Sequence, residues 1–124
     1  MTEENLAYFS NEPGFAEKNA EDYWESLCLG IQRLKGKNPE NFSKIIGISL
    51  TTQRDTVVFV DKNVVPLRPA ILWLDQRMAK CVDKMPIIDS LMYKAVGMKE
   101  TLEIVRRRSK ANWVRENEKE IWDK

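Results

Sequence analysis

The sequence predicts an α/β fold whose second half is mainly helical, and three observations support this prediction. After Asn19, the stretch AEDYWESLCLGIQRLK has apolar residues at helical spacing, which predicts a helix that ends near Gly36. The short runs IIGISLT and TVVFVD are rich in β-branched residues, which favours strands, and we expect the first run to be buried. From Gln76 onward, the apolar spacing is helical again.

Local signals mark the boundaries of the elements in the first half. Asn19 and Asp22 resemble a capping box, which predicts a side-chain cap on the first helix. KGKNPENFS is typical of a loop or a short turn. DKNVV predicts a turn that leads from TVVFVD into a third extended run, RPAILW, so we expect these two runs to be neighbours.

The second half is predicted to contain several helices. QRMAKCVDK has helical spacing, and Pro86 stands at a predicted helix start before IIDSLMYKAVG. TLEIVRRRSKANWVRENEKEIWDK predicts two short helices or one bent helix. Trp24, Trp113 and Trp122 lie among apolar neighbours at helical spacing, which favours positions in the core.

Composition excludes several classes of site. The sequence has no histidine, which excludes the usual Ser-His-Asp and Cys-His nucleophilic systems and an HExxH zinc site. Its five glycines form neither a dinucleotide-binding motif nor a P-loop. Cys28 and Cys81 are far apart, so we expect neither a disulfide framework nor a thiolate metal site. Any acid–base chemistry therefore depends on carboxylates.

Charge and hydropathy bear on partners and location. The net charge of +1 gives no general attraction to nucleic acid or to an anionic membrane, so we expect neither as a partner. The first residues lack the basic flank and the apolar core of a signal peptide, and no run approaches the roughly 20 apolar residues of a membrane span. We therefore expect a cytoplasmic protein. The arginines at residues 106–108 favour a solvated helix face over a phosphate site.

The order of three motifs resembles a known family. PGFAEKNAEDYW is followed by IIGISLTTQRDTVVFVDKNVVPLRPAILWLDQR and then by WVRENEKEIW. This order resembles the N-terminal domain of FGGY-type carbohydrate kinases over nearly the whole chain. The sequence Gln-Arg-acid-Thr at residues 53–56 is most similar to glycerol kinases, and the absence of histidine disfavours the xylulose-type members of the family.

The resemblance implies a partial domain. Residues 1–124 would form one segment of a ribonuclease H-like, actin-like ATPase domain, lacking its first strands and carrying a helical C-terminal half. The family's Asp-x-Gly-Thr motif, its catalytic Asp and its ATP-binding domain would be missing from this chain. ATP and Mg would serve the complete enzyme, and we expect neither to bind this chain alone, which we therefore expect to be inactive. An unpaired sheet edge would favour a homo-oligomer.

The resemblance also implies a set of residues that bind the substrate, a sugar or polyol. Arg54 and Asp55 match positions that hold polyol hydroxyls in glycerol kinases, and Trp73 matches the aromatic residue beside the substrate. Gln53 and Asp75 complete the predicted set. Taken by themselves, Arg54 and Asp55 would follow a buried strand, where ligand groups are common in α/β sheets. We expect Gln53, Arg54, Asp55 and Trp73 to share one concave surface.

Alternatives remain open for both the residues and the chain. The same charges could brace the fold through an Arg54–Asp75 or an Asp55–Arg77 ion pair. For Asp75 and Arg77, the role of bracing a turn is the favoured interpretation. The chain could be a segment of a carbohydrate kinase, a half-enzyme complemented by another chain, or a non-catalytic ligand-binding or interaction domain. The sequence identifies neither a catalytic base nor a metal ligand.

Overall fold

Six helices and two short strands form the regular structure of residues 8–80 and 83–124, which are the residues that the computed structural model describes. In chain order, the elements are β1 Glu17–Lys18, α1 Ala20–Lys37, α2 Pro39–Phe42, β2 Ala70–Ile71, α3 Ile87–Ala95, α4 Lys99–Arg108, α5 Lys110–Asn117 and α6 Lys119–Trp122. The described part of the chain is therefore helical with few strands. None of its helices combines the length and the apolar character that crossing a membrane requires.

Helix α1 confirms the first prediction from the sequence. The helix runs from Ala20 to Lys37, so it ends next to the expected residue, Gly36. The capping-box prediction is wrong, because Asn19 occupies the N-cap position but its side chain makes no capping hydrogen bond. Acidic Asp22 in the first turn and basic Lys37 in the last turn complement the helix dipole instead.

Residues 45–50 do not form the predicted buried strand. They have no regular secondary structure, and Ile46, Ile48 and Leu50 have relative exposures of 103%, 82% and 85%. A strand satisfies its backbone groups by pairing with a neighbour, and no strand in the described residues pairs with this segment. The loop predicted before it contains the short helix α2, which begins at a proline.

Extended segments lie side by side in antiparallel order around β1 and β2. Glu17 of β1 pairs with Ile71 of β2. Phe9 forms a bridge with Glu17, and Val57 forms a bridge with Ile71. The second bridge confirms that the runs TVVFVD and RPAILW are neighbours. TVVFVD itself contributes isolated bridges rather than the continuous strand that its composition predicted.

The turn between these two runs confirms the DKNVV prediction. The Asp61 Oδ1 atom accepts hydrogen bonds from the N–H groups of Asn63 at 2.8 Å and of Val65 at 2.9 Å. The Asp61 N–H donates to the Val65 carbonyl oxygen at 2.9 Å. Val64 has a φ of 64°, which is a left-handed conformation that a β-branched residue rarely adopts.

Residues 76–80 do not form the predicted helix, and residues 81–82 of the same run lie outside the described residues. Burial alternates along the segment, with Arg77 and Ala79 buried between exposed neighbours. A period of two is the pattern of extended backbone. The Ala79 N–H donates to the Arg107 carbonyl oxygen at 2.8 Å, so a long-range contact uses a backbone group that a helix would need.

The C-terminal region is divided into more helices than the sequence indicated. Helix α3 begins directly after Pro86, as predicted. The last predicted run forms three helices, α4, α5 and α6, rather than two short helices or one bent helix. The breaks fall at Ser109, whose ψ is 118°, and at Glu118, whose φ is −132°. Ser109 caps α5 by accepting a hydrogen bond from the Asn112 N–H.

The apolar core is small. Ile71 of β2 and Val114 of α5 are fully buried, so both halves of the chain contribute to it. Trp24 and Trp122 are 68% and 43% exposed, so the prediction that they lie in the core is wrong. Trp113 is half-buried. Polar contacts therefore provide much of the packing between the two halves of the chain.

Candidate functional site

Gln53 and Trp73 are joined through the side chain of Thr56. The Thr56 hydroxyl donates to the Gln53 Oε1 atom at 3.0 Å and accepts from the backbone N–H of Trp73 at 3.1 Å. Gln53 is exposed, and Trp73 is 58% exposed. The structure therefore brings two of the predicted substrate-binding residues together at the surface.

Arg54 and Asp55 form a turn between Gln53 and Thr56, and both are exposed. Asp55 has a φ of 63°, a left-handed conformation that Asp tolerates better than most residues. Because the strand expected before them does not form, the two residues lie in a surface turn and not at the end of a buried strand. Their contact with a substrate stays a prediction.

Asp75 lies two residues beyond Trp73, and its side chain is 0% exposed. The Oδ2 atom accepts from the Ala16 N–H at 2.7 Å, and the Oδ1 atom accepts from the Arg77 N–H at 2.9 Å. The Arg77 Nε and Nη2 atoms donate to Oδ1 and Oδ2 respectively, each at 2.8 Å. Asp75 therefore supports the backbone in this structure, and its contact with a substrate stays a prediction.

A buried ion network extends from this pair. The Arg77 Nη2 atom also donates to the Glu17 Oε1 atom at 2.7 Å. Arg68 pairs with the same Glu17 oxygen and with Glu118. Glu17 lies on β1 and Glu118 lies between α5 and α6, so the network ties the sheet to the C-terminal helices. Neither predicted brace, Arg54–Asp75 or Asp55–Arg77, occurs among the ion pairs of residues 8–80 and 83–124.

Two aromatic rings cover the Arg77 guanidinium. Its Cζ atom is 3.9 Å from the ring centroid of Phe15 and 4.5 Å from that of Trp113. The two rings meet edge to face, with centroids 5.6 Å apart. The buried Arg77 Nη1 atom makes no hydrogen bond with the described residues. Cation–π attraction to the two rings offsets part of the free-energy cost of burying this donor without an acceptor.

Lys110 places a second cation against Asp75. Its Nζ atom donates to the Asp75 carbonyl oxygen at 2.6 Å and lies 3.6 Å from the Asp75 Oδ1 atom. The residue is 8% exposed. Asp75 therefore has cations at both its carboxylate and its backbone carbonyl.

Burial and pairing shift three pKa values. Burial alone would raise the pKa of Asp75, but hydrogen bonds from Arg77 and from the backbone hold it below its ordinary value. Burial alone would lower the pKa of Arg77, but hydrogen bonds to Asp75 and Glu17 raise it. Burial lowers the pKa of Lys110, while attraction to Asp75 and Asp55 opposes that shift. The pair of Asp75 and Arg77 is therefore held in its charged form.

A cleft of about 490 Å³ opens beside the ion network. Its lining includes Glu12, Lys80 and Asn117 together with Arg68 and Arg77. The predicted substrate-binding residues do not line this cleft. This cleft is therefore not the concave surface that we expected around those residues, and that surface stays a prediction.

Sequence reasoning missed several residues that support this region. Glu17 and Arg68 carry no local signal, because their contact joins positions 51 residues apart. Thr56 belongs to the Gln-Arg-acid-Thr motif, but the motif does not indicate that its hydroxyl joins Gln53 to Trp73. Lys110 does carry a signal, since a cation at the first position of a helix opposes the helix dipole.

Comparison with known proteins gives the class to which this chain belongs, the carbohydrate kinases. Residues 1–124 match the N-terminal domain of the FGGY family of carbohydrate kinases. The chain belongs to this family.

Relatives of two kinds match the chain. The xylulose kinase of Staphylococcus epidermidis is 34% identical over 124 residues, which cover 98% of this chain and 24% of that protein. The glycerol kinase of Trichodesmium erythraeum is 36% identical over 75 residues, which cover 60% of this chain and 15% of that protein. The matches therefore do not distinguish xylulose kinases from glycerol kinases as the nearer relatives. The closer likeness to glycerol kinases that residues 53–56 indicated stays a prediction.

A solved structure supports the fold at the level of the family. The crystal structure of a xyloylose kinase from Brucella ovis matches with a TM-score of 0.73 and 27% identity, over 96% of this chain and 24% of that chain. This chain thus spans about a quarter of the length of the xylulose kinase and of the solved kinase that it matches. The finer expectation, that the first strands of the domain are lacking, stays a prediction.

Proposed function

We propose that this chain forms part of the sugar- or polyol-binding wall of an ATP-dependent carbohydrate kinase, which transfers a phosphoryl group to an alcohol. Membership of the FGGY family supports the reaction class. The observation that carries the wall is the Gln53–Thr56–Trp73 connection, in which Thr56 joins the Gln53 side-chain amide to the backbone N–H of Trp73 at the surface. We call Gln53, Arg54, Asp55 and Trp73 the substrate wall.

The substrate wall offers the groups that a polyhydroxyl compound needs. A sugar or polyol has many hydroxyls and little charge, so selective binding depends on paired donors and acceptors. The Arg54 guanidinium offers fixed donors, the Asp55 carboxylate offers acceptors, and the Trp73 ring offers an apolar face to the carbons. A substrate that lacks one paired hydroxyl leaves a group unmet, at a cost of about 1–3 kcal/mol. We expect small polyols to be preferred over ketopentoses.

Mg-ATP, when bound in a complete kinase, supplies the phosphoryl group and neutralises the charge that develops during transfer. In residues 8–80 and 83–124, no group of three or more His, Cys, Asp and Glu side chains could hold a metal ion. We assign the binding of Mg-ATP, and the base that accepts the hydroxyl proton, to other parts of a kinase, because this chain covers only 24% of the xylulose kinase and 24% of the solved kinase that it matches. The isolated chain should give no ATP-dependent turnover above a heat-inactivated control.

The test is steady-state kinetics in a chimaera in which these residues replace the matching quarter of the Staphylococcus epidermidis xylulose kinase. Arg54→Ala should lower kcat/KM for the preferred substrate by about one to three orders of magnitude while the KM for ATP stays near its starting value. Arg108→Ala is the matched control, because Arg108 is an exposed arginine at the end of α4. If both variants behave alike per folded molecule, the polyol-binding role of Arg54 is wrong.

A second candidate function is a half-enzyme that another chain completes, and the exposed apolar surface favours it. Helix α1 has no buried residue, and Trp24, Leu27 and Leu34 are 68%, 47% and 49% exposed. Ile46 and Ile48 are exposed as well. Large exposed apolar patches usually mark interaction sites. Co-expression with a kinase that lacks the matching quarter should give a complex of equal stoichiometry with activity, and two proteins that purify separately would exclude complementation.

A further inference from the structure

Lys110 occupies a position that is unfavourable for a cation. It is the first residue of α5, where the helix dipole presents its positive end. It is also 8% exposed, and burial lowers the pKa of its amine. Neither helix stability nor solvation accounts for a lysine at this point, so the reason lies in its contacts.

The main contact of Lys110 fixes a turn. Its Nζ atom donates to the Asp75 carbonyl oxygen at 2.6 Å. The Asp75 N–H in turn donates to the Leu72 carbonyl oxygen at 3.1 Å, and the Leu72 N–H donates to the Ala16 carbonyl oxygen at 3.0 Å. Residues 72–75 are therefore anchored at both ends, by Ala16, which precedes β1, on one side and by Lys110 on the other.

This turn carries part of the substrate wall. Trp73 lies within it, and the Trp73 N–H donates to Thr56, which in turn donates to Gln53. The buried Lys110 ammonium group thus acts on the turn that holds Trp73.

We propose that Lys110 is a positioning residue for the substrate wall, because its ammonium group fixes the turn that presents Trp73. This inference rests on the proposed function for its consequence in catalysis. Its structural part, the fixing of the turn, is independent of any activity. The two parts therefore need separate measurements.

The structural part is tested by hydrogen exchange with mass spectrometry on the 124-residue chain. Lys110→Met should increase exchange at the Trp73 and Asp75 amides by about tenfold or more, whereas Lys110→Arg, which keeps a charged donor, should stay close to the parent chain. Lys119→Met is the matched control, because Lys119 is an exposed lysine that also begins a helix. Exchange at the fully buried Val114 of α5 reports global unfolding. Unchanged exchange at residues 72–75 in Lys110→Met would overturn the inference.

The functional part is tested in the chimaera with Trp73→Ala as the reference. Trp73→Ala should raise the KM for the carbohydrate with kcat little changed, because an apolar wall binds ground and transition states alike. Lys110→Met should raise the same KM by about tenfold, Lys110→Arg should restore most of it, and the KM for ATP should not move. If Trp73→Ala raises KM but Lys110→Met does not, the positioning role is wrong. If Trp73→Ala also has no effect, the substrate wall itself is wrong, whatever hydrogen exchange shows for the turn.

Discussion

Asp75 and Arg77, two residues apart in the sequence, form a bidentate ion pair in which both carboxylate oxygens accept from the guanidinium at 2.8 Å. The pair is buried, and Glu17 meets the same guanidinium at 2.7 Å from β1. A buried pair is weak evidence for net stability, but the loss of one partner leaves an uncompensated charge. The pair therefore makes the fold sensitive to single substitutions at either residue.

Asp75→Asn should lower the free energy of unfolding by about 3–5 kcal/mol. The substitution removes the negative charge and places an amide N–H donor against the N–H donors of Arg77. Urea denaturation followed by circular dichroism measures this change. Asp123→Asn, at an exposed position after α6, is the control and should stay within about 0.5 kcal/mol of the parent chain. Equal midpoints for the two variants would contradict the role given to the pair.

Acid should destabilise the chain through Asp75. The pKa of this carboxyl is lower in the folded state than its ordinary value of 3.8. Its stabilising contribution is therefore fully present above the ordinary value, and it is lost as the pH falls through the lowered folded-state pKa. Unfolding free energies measured from pH 7 down to about pH 2 should fall less steeply in Asp75→Asn below the ordinary pKa. An identical acid limb in both proteins would exclude Asp75 as its cause.

Val64→Gly should stabilise the chain by about 1 kcal/mol, because glycine adopts a positive φ without the strain that valine has at 64°. Val64 is 75% exposed, so little packing is lost. Thermal unfolding measures the effect. Val58→Gly is the control: Val58 is an exposed valine of the preceding extended run without a positive φ, and there glycine should destabilise. Destabilisation at both positions would show that the turn holds no strain.

The double variant Ile46→Lys, Ile48→Lys should reduce self-association without changing folding stability by more than about 0.5 kcal/mol. Both residues are exposed in a segment that pairs with no strand of the described residues, so charge there removes apolar contact area and not packing. Sedimentation velocity over a range of concentrations measures association. Ile104→Lys on α4 is the control for an exposed isoleucine outside this segment. A parent chain that stays monomeric throughout would contradict the expected homo-oligomer.

Local patterns were sufficient for the parts of the fold that depend on near neighbours. The periodicity after Asn19 predicted α1, and Pro86 predicted the start of α3. The Asp61 turn also followed from its own residues, because its hydrogen bonds span four residues or fewer. The same turn made the runs on either side of it neighbours, which the bridge between Val57 and Ile71 confirms.

Tertiary contacts decided the elements whose partners are distant. Residues 45–50 have strand composition, but a strand forms only where another strand accepts its hydrogen bonds. Residues 76–80 have helical spacing, but the contact of Ala79 with Arg107 and the burial of Arg77 impose an extended path. The composition of a segment indicates which secondary structures it can form, and its long-range contacts decide which of them is stable.

The candidate site likewise combines features that the sequence determined with features that only the tertiary structure decided. The sequence and its family resemblance determined which surface groups to consider, namely Gln53, Arg54, Asp55 and Trp73, because a motif fixes residue types and spacing. Only the tertiary structure decided how they are supported. The contact between Glu17 and Arg77 joins positions 60 residues apart, and Lys110 reaches the Asp75 carbonyl across 35 residues. Charges are buried only where folding brings their partners within hydrogen-bond distance, and spacing along the chain does not specify that proximity.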